Sequence, residues 1–101
     1  MPASRRADQL GQLIRDELSD LMRRSMGDPR LRGVVSITRV ELTPDLRHAR
    51  VRVSALGGSD ERKQAVAALT SASGYLRREL AARLHIRYTP DLSFVADESI
   101  E

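Results

Sequence analysis

The fold of this chain is decided by the stretch Leu69-Thr-Ser-Ala-Ser-Gly-Tyr-Leu-Arg-Arg-Glu-Leu80. Apolar residues recur at helical spacing on both sides of its centre, namely Ala65, Val66, Leu69 and Ala72 before it and Leu76, Leu80 and Leu84 after it. Between the two runs, the small residues 71–74 break or kink a helix and let another backbone or a ligand come close. The stretch therefore predicts two helices joined by a sharp corner. From these residues alone, the corner is either an ordinary connection or a ligand contact.

Length and composition indicate a small protein of one domain, residues 1–101, that is large enough to build a hydrophobic core. Cysteine is absent, which excludes disulfides, thiolate zinc sites and a cysteine nucleophile. No apolar run approaches the roughly 20 residues of a membrane span, and the N-terminus lacks the apolar core of a signal peptide. We therefore expect a cytoplasmic protein.

The charge pattern is basic and rich in arginine: Lys63 is the one lysine among 17 basic residues, and the net charge is +3. Arginine binds phosphates in two-point fashion and stacks on bases, which suits an RNA surface. A GC-rich genome would produce the same bias. Aromatic residues are few (Tyr75, Tyr88 and Phe94), which argues against a sheet that stacks several bases and favours recognition of the RNA backbone.

The N-terminal segment predicts a helix from residue 4 to about 26. Its apolar residues form one stripe, Ala7, Leu10, Ile14, Leu18 and Leu21. Ser4 is a candidate N-cap, and residues 27–29 (Gly-Asp-Pro) end the helix.

Two strands and a turn follow. Residues 33–42 are rich in β-branched residues, but their alternation changes phase, which a bulge near Thr38-Arg39 would explain. Residues 43–45 (Thr-Pro-Asp) predict a turn. The second strand alternates clearly, with Ala49, Val51, Val53 and Ala55 inward and His48, Arg50, Arg52 and Ser54 outward.

The remainder of the chain completes an αββααβ order. Ser59 or Asp60 is expected to cap the second helix, and the third helix runs to about His85. Leu92, Phe94 and Ala96 then alternate with Ser93, Val95 and Asp97 in a last short strand. This order predicts an α+β domain of two layers, a three-stranded sheet covered by three helices. It is the type II KH topology, in which a GxxG loop between two helices clamps a nucleic-acid backbone.

Catalytic and metal sites are not predicted. His48 and His85 have no neighbouring ligand at metal spacing, the acidic clusters at 16–20 and 60–61 lack a partner base, and no serine lies in a nucleophile elbow. We expect no enzyme, no metal and no cofactor.

Taken in order, several short motifs resemble the ribosome-binding factor A family over nearly the whole chain. They are Asp28-Pro29-Arg30-Leu31, Val40-Glu41-Leu42-Thr43-Pro44-Asp45-Leu46, Ala49-Arg50-Val51-Arg52-Val53-Ser54, Ala72-Ser73-Gly74-Tyr75-Leu76-Arg77, Pro90-Asp91-Leu92-Ser93-Phe94 and Asp97-Glu98-Ser99-Ile100-Glu101. The resemblance implies a KH-like fold in which an Ala-x-Gly kink, here Ala72-Ser73-Gly74, replaces GxxG. The chain departs from the usual sequence of the family at two points. At Gln9, relatives commonly carry an arginine, and relatives usually continue past the final motif, Asp97-Glu98-Ser99-Ile100-Glu101.

The resemblance implies a function in assembly of the small ribosomal subunit. Its members bind the immature 30S subunit through 16S rRNA, take part in 5′-end processing and matter at low temperature. The expected partners are therefore the small subunit, its 16S rRNA and ribosomal proteins, with no membrane and with the protein as a monomer.

The candidate RNA-binding residues are the corner and the arginines that we expect to reach solvent. They are Arg5, Arg6, Arg50, Arg52, Ser71, Ala72, Ser73, Gly74, Arg77, Arg78 and Arg83. A β-branched residue at Gly74 is expected to distort the corner. The alternative function is a protein–protein adaptor on a KH-like scaffold without direct RNA contact.

Overall fold

The computed structural model describes residues 5–24 and 35–97. Its helices and strands are α1 (Arg5–Arg24), β1 (Val35–Leu42), β2 (His48–Ala55), α2 (Ser59–Ser71), α3 (Ser73–Leu84) and β3 (Asp91–Ala96). The predicted αββααβ order is confirmed. The expected N-cap Ser4 and the expected end of the first helix at residues 27–29 lie outside the described residues.

The sheet has the order β1-β2-β3, with β1 antiparallel to β2 and β2 parallel to β3. The β1–β2 hairpin closes through the turn at 43–47, where the Thr43 N–H donates to the His48 carbonyl (3.0 Å). The parallel pair requires a crossover, and α2 and α3 provide it. This arrangement is the type II KH topology that the order of the elements predicts.

The three helices cover one face of the sheet and share one hydrophobic core with it. The core contains residues from every helix and strand: Ile14, Leu18, Leu21, Ile37, Val51, Val53, Ala65, Leu69, Leu76, Leu80 and Phe94. The predicted helical stripes therefore point inward. On β2, Ala49 is buried with Val51 and Val53, whereas His48 and Arg50 are exposed on the opposite face, as the alternation predicts.

The phase change in β1 is caused by a bulge, as the sequence predicts. Ile37 pairs with Val53 and Arg39 pairs with Arg52, so that Thr38 is the additional residue on β1. Apolar residues on both sides of the bulge consequently face the helices.

Thr38 and Asp97 connect the bulge to the end of β3. The Thr38 hydroxyl donates to the Asp97 carboxylate (Oγ1 to Oδ2, 2.5 Å) and also lies 3.3 Å from the Arg52 carbonyl. Asp97, which the sequence places in the last strand, is buried, with 6% exposed, and lies just beyond the end of β3. The chain leaves the strand at Ala96, and the Asp97 N–H still donates to the Val53 carbonyl (2.8 Å).

The expected cap of α2 is also wrong. Gly58 is the N-cap, with φ 117° and ψ −158°, and no side chain caps the helix. This backbone conformation is available essentially only to glycine, and it places Ser59 and Asp60 inside the first turn. There Asp60 and Glu61 favourably face the positive end of the helix dipole.

Candidate nucleic-acid interface

Residues 71–74, which we call the corner, join α2 to α3 through the single residue Ala72. Ala72 ends α2 and begins α3, with φ −95° and ψ 7°. Its N–H group lies 3.2 Å from the Ala68 carbonyl and 3.1 Å from the Leu69 carbonyl, and its own carbonyl accepts the N–H of Leu76 (2.9 Å). The predicted sharp corner is therefore present, and it forms because one small residue closes one helix while it opens the next.

The corner leaves the first N–H groups of α3 without a side-chain cap. The Ser71 hydroxyl donates back to the Ala67 carbonyl (3.0 Å), so it does not reach α3. Uncapped N–H groups at a helix N-terminus attract anions, because the helix dipole adds to their partial positive charge. The N–H groups at the start of α3 can therefore donate hydrogen bonds to a phosphate oxygen.

Gly74 lies exposed in the first turn of α3. A Cβ atom there would have only Arg78 Nη1 in contact, at 3.8 Å, and positive φ is found at Gly57 and Gly58 but not at Gly74. No backbone strain or close contact among the described residues requires glycine at this position, so the expected distortion by a β-branched residue depends on its atoms beyond Cβ and stays a prediction. The effect of the glycine is to keep the backbone accessible from outside.

Arg77 and Arg78 follow the corner but have different environments. Arg78 is exposed and forms no hydrogen bond or ion pair within the described residues. The Arg77 guanidinium instead donates to the carbonyls of Thr89 (2.8 Å) and Pro90 (3.1 Å) and lies 3.6 Å from the Asp91 carboxylate. Arg78 is thus free for a phosphate, whereas Arg77 already holds the loop before β3.

Arg83 is engaged inside the protein. Its Nη1 atom lies 2.9 Å from a carboxylate oxygen of Glu17 and 2.9 Å from one of Asp20, and 30% of its side chain is exposed. Hydrogen bonds from Arg83 first and Arg24 second hold the pKa of Asp20 below its usual value, and the same carboxylates raise the pKa of Arg83. The expected free access of Arg83 to solvent is not present, because this side chain joins α3 to α1.

The open face of the sheet carries Arg50 and Arg52, on the side away from the helices. Glu41 binds Arg52 (Nε to Oε1, 3.0 Å) and lies 3.6 Å from Arg39. Arg50 lies opposite Glu41 in the antiparallel pairing of β1 with β2. Its side chain forms no ion pair within the part of the chain that the structure describes. Arg50 is therefore the freer of the two cations on this face.

Arg5 and Arg6 are exposed at the start of α1 and form no ion pair with the other described residues. The predicted residues therefore divide among three surfaces: the corner with Arg78, the open sheet face with Arg50, and the start of α1. Within the crossover, the corner and Arg78 come together, while Arg77 and Arg83 are occupied by intramolecular partners.

A pair that sequence reasoning missed lies beside the hairpin turn. The Arg47 guanidinium carbon is 5.9 Å from the centroid of the Tyr88 ring, and Tyr88 is 68% exposed. The only signals in the sequence are that this tyrosine follows Arg87 and lies shortly before Pro90. Neither signal shows that the ring faces Arg47.

Metal ligation and membrane insertion find no support among the described residues. No group of three or more histidines and acids there could hold a metal ion. His48 Nδ1 lies 3.7 Å from the Asp91 carboxylate, and His85, with φ 53°, ends α3 with its N–H on the Ala81 carbonyl. None of the described helices is both long enough and apolar enough to cross a bilayer.

Comparison with known proteins identifies relatives over the whole chain. The family model described as "Ribosome-binding factor A" matches residues 6–101. A ribosome-binding factor A from Thermomicrobium roseum is 48% identical over 101 residues, which are 100% of this chain and 77% of that protein.

Solved structures of related proteins have the same fold. The crystal structure of ribosome-binding factor A from Thermus thermophilus superimposes with a TM-score of 0.81 at 25% identity, over 94% of this chain and 99% of that one. A homology model of the Thermus thermophilus factor, fitted into a cryo-EM map of a complex with 30S, gives a TM-score of 0.73 at 26% identity, over 89% of this chain and 93% of that one.

Proposed function

Because the chain belongs to the ribosome-binding factor A family, we propose that it is a non-enzymatic assembly factor that binds the immature small (30S) ribosomal subunit through 16S rRNA. It acts in the cytoplasm as one KH-like domain and as a monomer. It assists maturation of the subunit and processing of the 5′ end of the rRNA, a role that is most important at low temperature. The relative that was fitted into a 30S complex supports the choice of subunit.

The observation that carries the proposal is the combination of three features at the corner. The N-terminus of α3 has no side-chain cap, Gly74 leaves its backbone open, and Arg78 is exposed without a partner among the described residues. An RNA phosphate that approaches the open backbone can accept hydrogen bonds from the N–H groups at the start of α3. The same phosphate can face the cation of Arg78. These contacts recognise the backbone of the RNA and do not depend on its sequence.

Charge reversal tests this surface. Arg78→Glu places a negative charge beside the bound phosphate, so we expect affinity for immature 30S particles to fall about tenfold or more at moderate salt. Lys63→Glu is the matched control, because Lys63 is exposed on α2, more than two helical turns before the corner. If both variants bind as the wild type does, the corner is not the RNA contact.

The adaptor alternative has one observation in its favour. Arg52, Arg77 and Arg83 are occupied by partners within the protein, which reduces the number of cations available to phosphates. An adaptor would bind a ribosomal protein, and that contact would persist after nuclease treatment of the particles. Ultraviolet cross-linking within immature 30S particles distinguishes the two. Cross-links from the corner to 16S rRNA support our proposal, and cross-links to protein alone support the adaptor.

A further inference from the structure

Tyr88 is an exposed aromatic residue in cationic surroundings. Of the three large apolar or aromatic side chains that are exposed among the described residues, Leu13, Leu56 and Tyr88, it is the one with a flat ring. Arg47 lies over one face of that ring, at 5.9 Å, and Arg87 precedes it in the chain and is also exposed. Because 68% of the residue is exposed, the ring is accessible to a ligand.

The loop that carries Tyr88 is held firmly. The two hydrogen bonds from Arg77 bind the carbonyls of Thr89 and Pro90, and Pro90 is fully buried. These contacts connect the loop directly to the first turns of α3, where Arg78 and the corner lie. Arg77, which was expected to bind RNA, thus acts as a positioning residue for Tyr88.

Arg47 is also fixed at its backbone. Its N–H donates to the Asp45 carboxylate (3.1 Å), and its carbonyl accepts the N–H of Asp91 (2.9 Å). The Asp45 carboxylate receives a second hydrogen bond, from the Thr43 hydroxyl (2.7 Å). The backbone segments that carry the cation and the ring are therefore tied to each other by hydrogen bonds, which limits the backbone ordering that ligand binding requires.

We propose that Tyr88 stacks one unpaired base of the bound RNA, with Arg47 on the other face of its ring. This inference rests on the proposed function and adds a base contact to the backbone contacts at the corner. Aromatic rings and arginine guanidinium planes both stack on splayed-out bases in single-stranded RNA. The two cations near the ring, Arg47 over its face and the exposed Arg87 before it in the chain, favour an anionic RNA over an apolar protein surface.

A tryptophan reporter tests the stacking directly. The chain has no tryptophan, so Tyr88→Trp introduces a single indole emission. We expect a single-stranded oligoadenylate to quench this emission, whereas an abasic ribose-phosphate oligomer of the same length binds through its phosphates without quenching. Equal changes with both oligomers, or no change with oligoadenylate once it is bound, would overturn the proposal.

Affinity measurements on Tyr88→Ala and Tyr88→Phe complete the test. Loss of one stacked base weakens binding of oligoadenylate about tenfold. We therefore expect Tyr88→Ala to bind oligoadenylate about tenfold more weakly than the wild type and to bind the abasic oligomer with unchanged affinity. Tyr88→Phe keeps the ring and should bind both oligomers with nearly wild-type affinity. If Tyr88→Ala binds both oligomers as the wild type does, only the stacking inference fails. If the wild type binds neither oligomer, the stacking inference fails, whereas the proposed function fails only if the protein also does not bind immature 30S particles.

Discussion

Gly11 of α1 lies directly against the carbonyl oxygen of Val40 in β1: a Cβ atom at position 11 would be only 2.7 Å from that oxygen. This distance is shorter than van der Waals contact, and the oxygen belongs to the backbone, so it cannot rotate away. Glycine therefore sets how closely α1 crosses the edge strand of the sheet.

Gly11→Ala is expected to destabilise the fold. Alanine favours a helix by about 1 kcal/mol relative to glycine, but forcing α1 away from β1 costs about 1–3 kcal/mol or more, as overpacking does elsewhere. We expect a net loss in the free energy of unfolding, measured by urea denaturation. The matched control is Gly74→Ala, where the new methyl group makes only an ordinary contact with Arg78 Nη1 (3.8 Å), so its stability should be unchanged or higher. Equal effects of the two substitutions would contradict this role of Gly11.

Gly74→Val separates folding from binding. Because a Cβ atom at position 74 makes only an ordinary contact with Arg78, the variant should fold with a melting temperature close to that of the wild type. Its branched side chain would cover the open backbone of the corner, so affinity for immature 30S particles should fall about tenfold. Unchanged affinity would mean that the RNA does not approach this backbone.

Arg83→Glu is expected to lower the melting temperature clearly, because it places a third negative charge beside Glu17 and Asp20. Arg78→Glu is the matched control on the same helix, and since Arg78 has no partner among the described residues its melting temperature should change little. Thermal unfolding followed by circular dichroism measures both. Similar melting temperatures for the two variants would show that the ion pairs of Arg83 do not stabilise the protein.

The ion pairs of Arg83 also predict a pH dependence. The pKa of Asp20 is held below its ordinary value of 3.8 by Arg83 and then by Arg24. A carboxylate with a lowered pKa in the folded state stabilises the protein above its unfolded pKa, and this contribution is lost as the pH falls through the folded pKa. The stability difference between wild type and Arg83→Met should therefore be constant near neutral pH and shrink below about 3.8. A difference that does not depend on pH would exclude the Asp20 contact as its source.

Thr38→Val tests the connection between the bulge and the end of β3. Valine has nearly the same shape but cannot donate to the buried Asp97 carboxylate. Losing a hydrogen bond to a buried polar group costs about 1–3 kcal/mol, and we expect a destabilisation of that size in urea. Thr70→Val, on the exposed side of α2, should have little effect. An equally large loss in the free energy of unfolding of the control would indicate that the hydrogen bond from the Thr38 hydroxyl is not the cause of the destabilisation.

Periodicity predicted the parts of the fold that depend on hydrophobic burial. The stripes on the helices, the alternation in β2 and the phase change at Thr38 all follow from which residues must reach one core. The start of α2 was not predictable in this way, because the capping preference of serine and aspartate competes with the unusual backbone of Gly58. Alternation also extended the last strand to Asp97, although β3 ends at Ala96, because alternation cannot show where a strand ends.

The candidate site was predicted less completely than the fold. The corner followed from local sequence, because a run of small residues between two helical stripes interrupts the helix at that point. Which arginines are free depends on long-range contacts instead. Arg83 meets residues more than 60 positions away on α1, and Arg77 meets carbonyls of a loop whose position only the folded chain determines. The Arg47–Tyr88 pair was missed for the same reason.

The measurement that tests the central claim most directly is co-sedimentation of the protein with immature and mature 30S subunits across a salt titration. Contact with RNA phosphates makes binding fall steeply with salt, by about a thousandfold for six contacts between 50 and 200 mM. We expect selective binding to immature particles with such a slope, and a slope smaller by about 1 for Arg78→Gln. Binding that is absent at low salt, or that is equal for both particles and insensitive to salt, would contradict the proposed function.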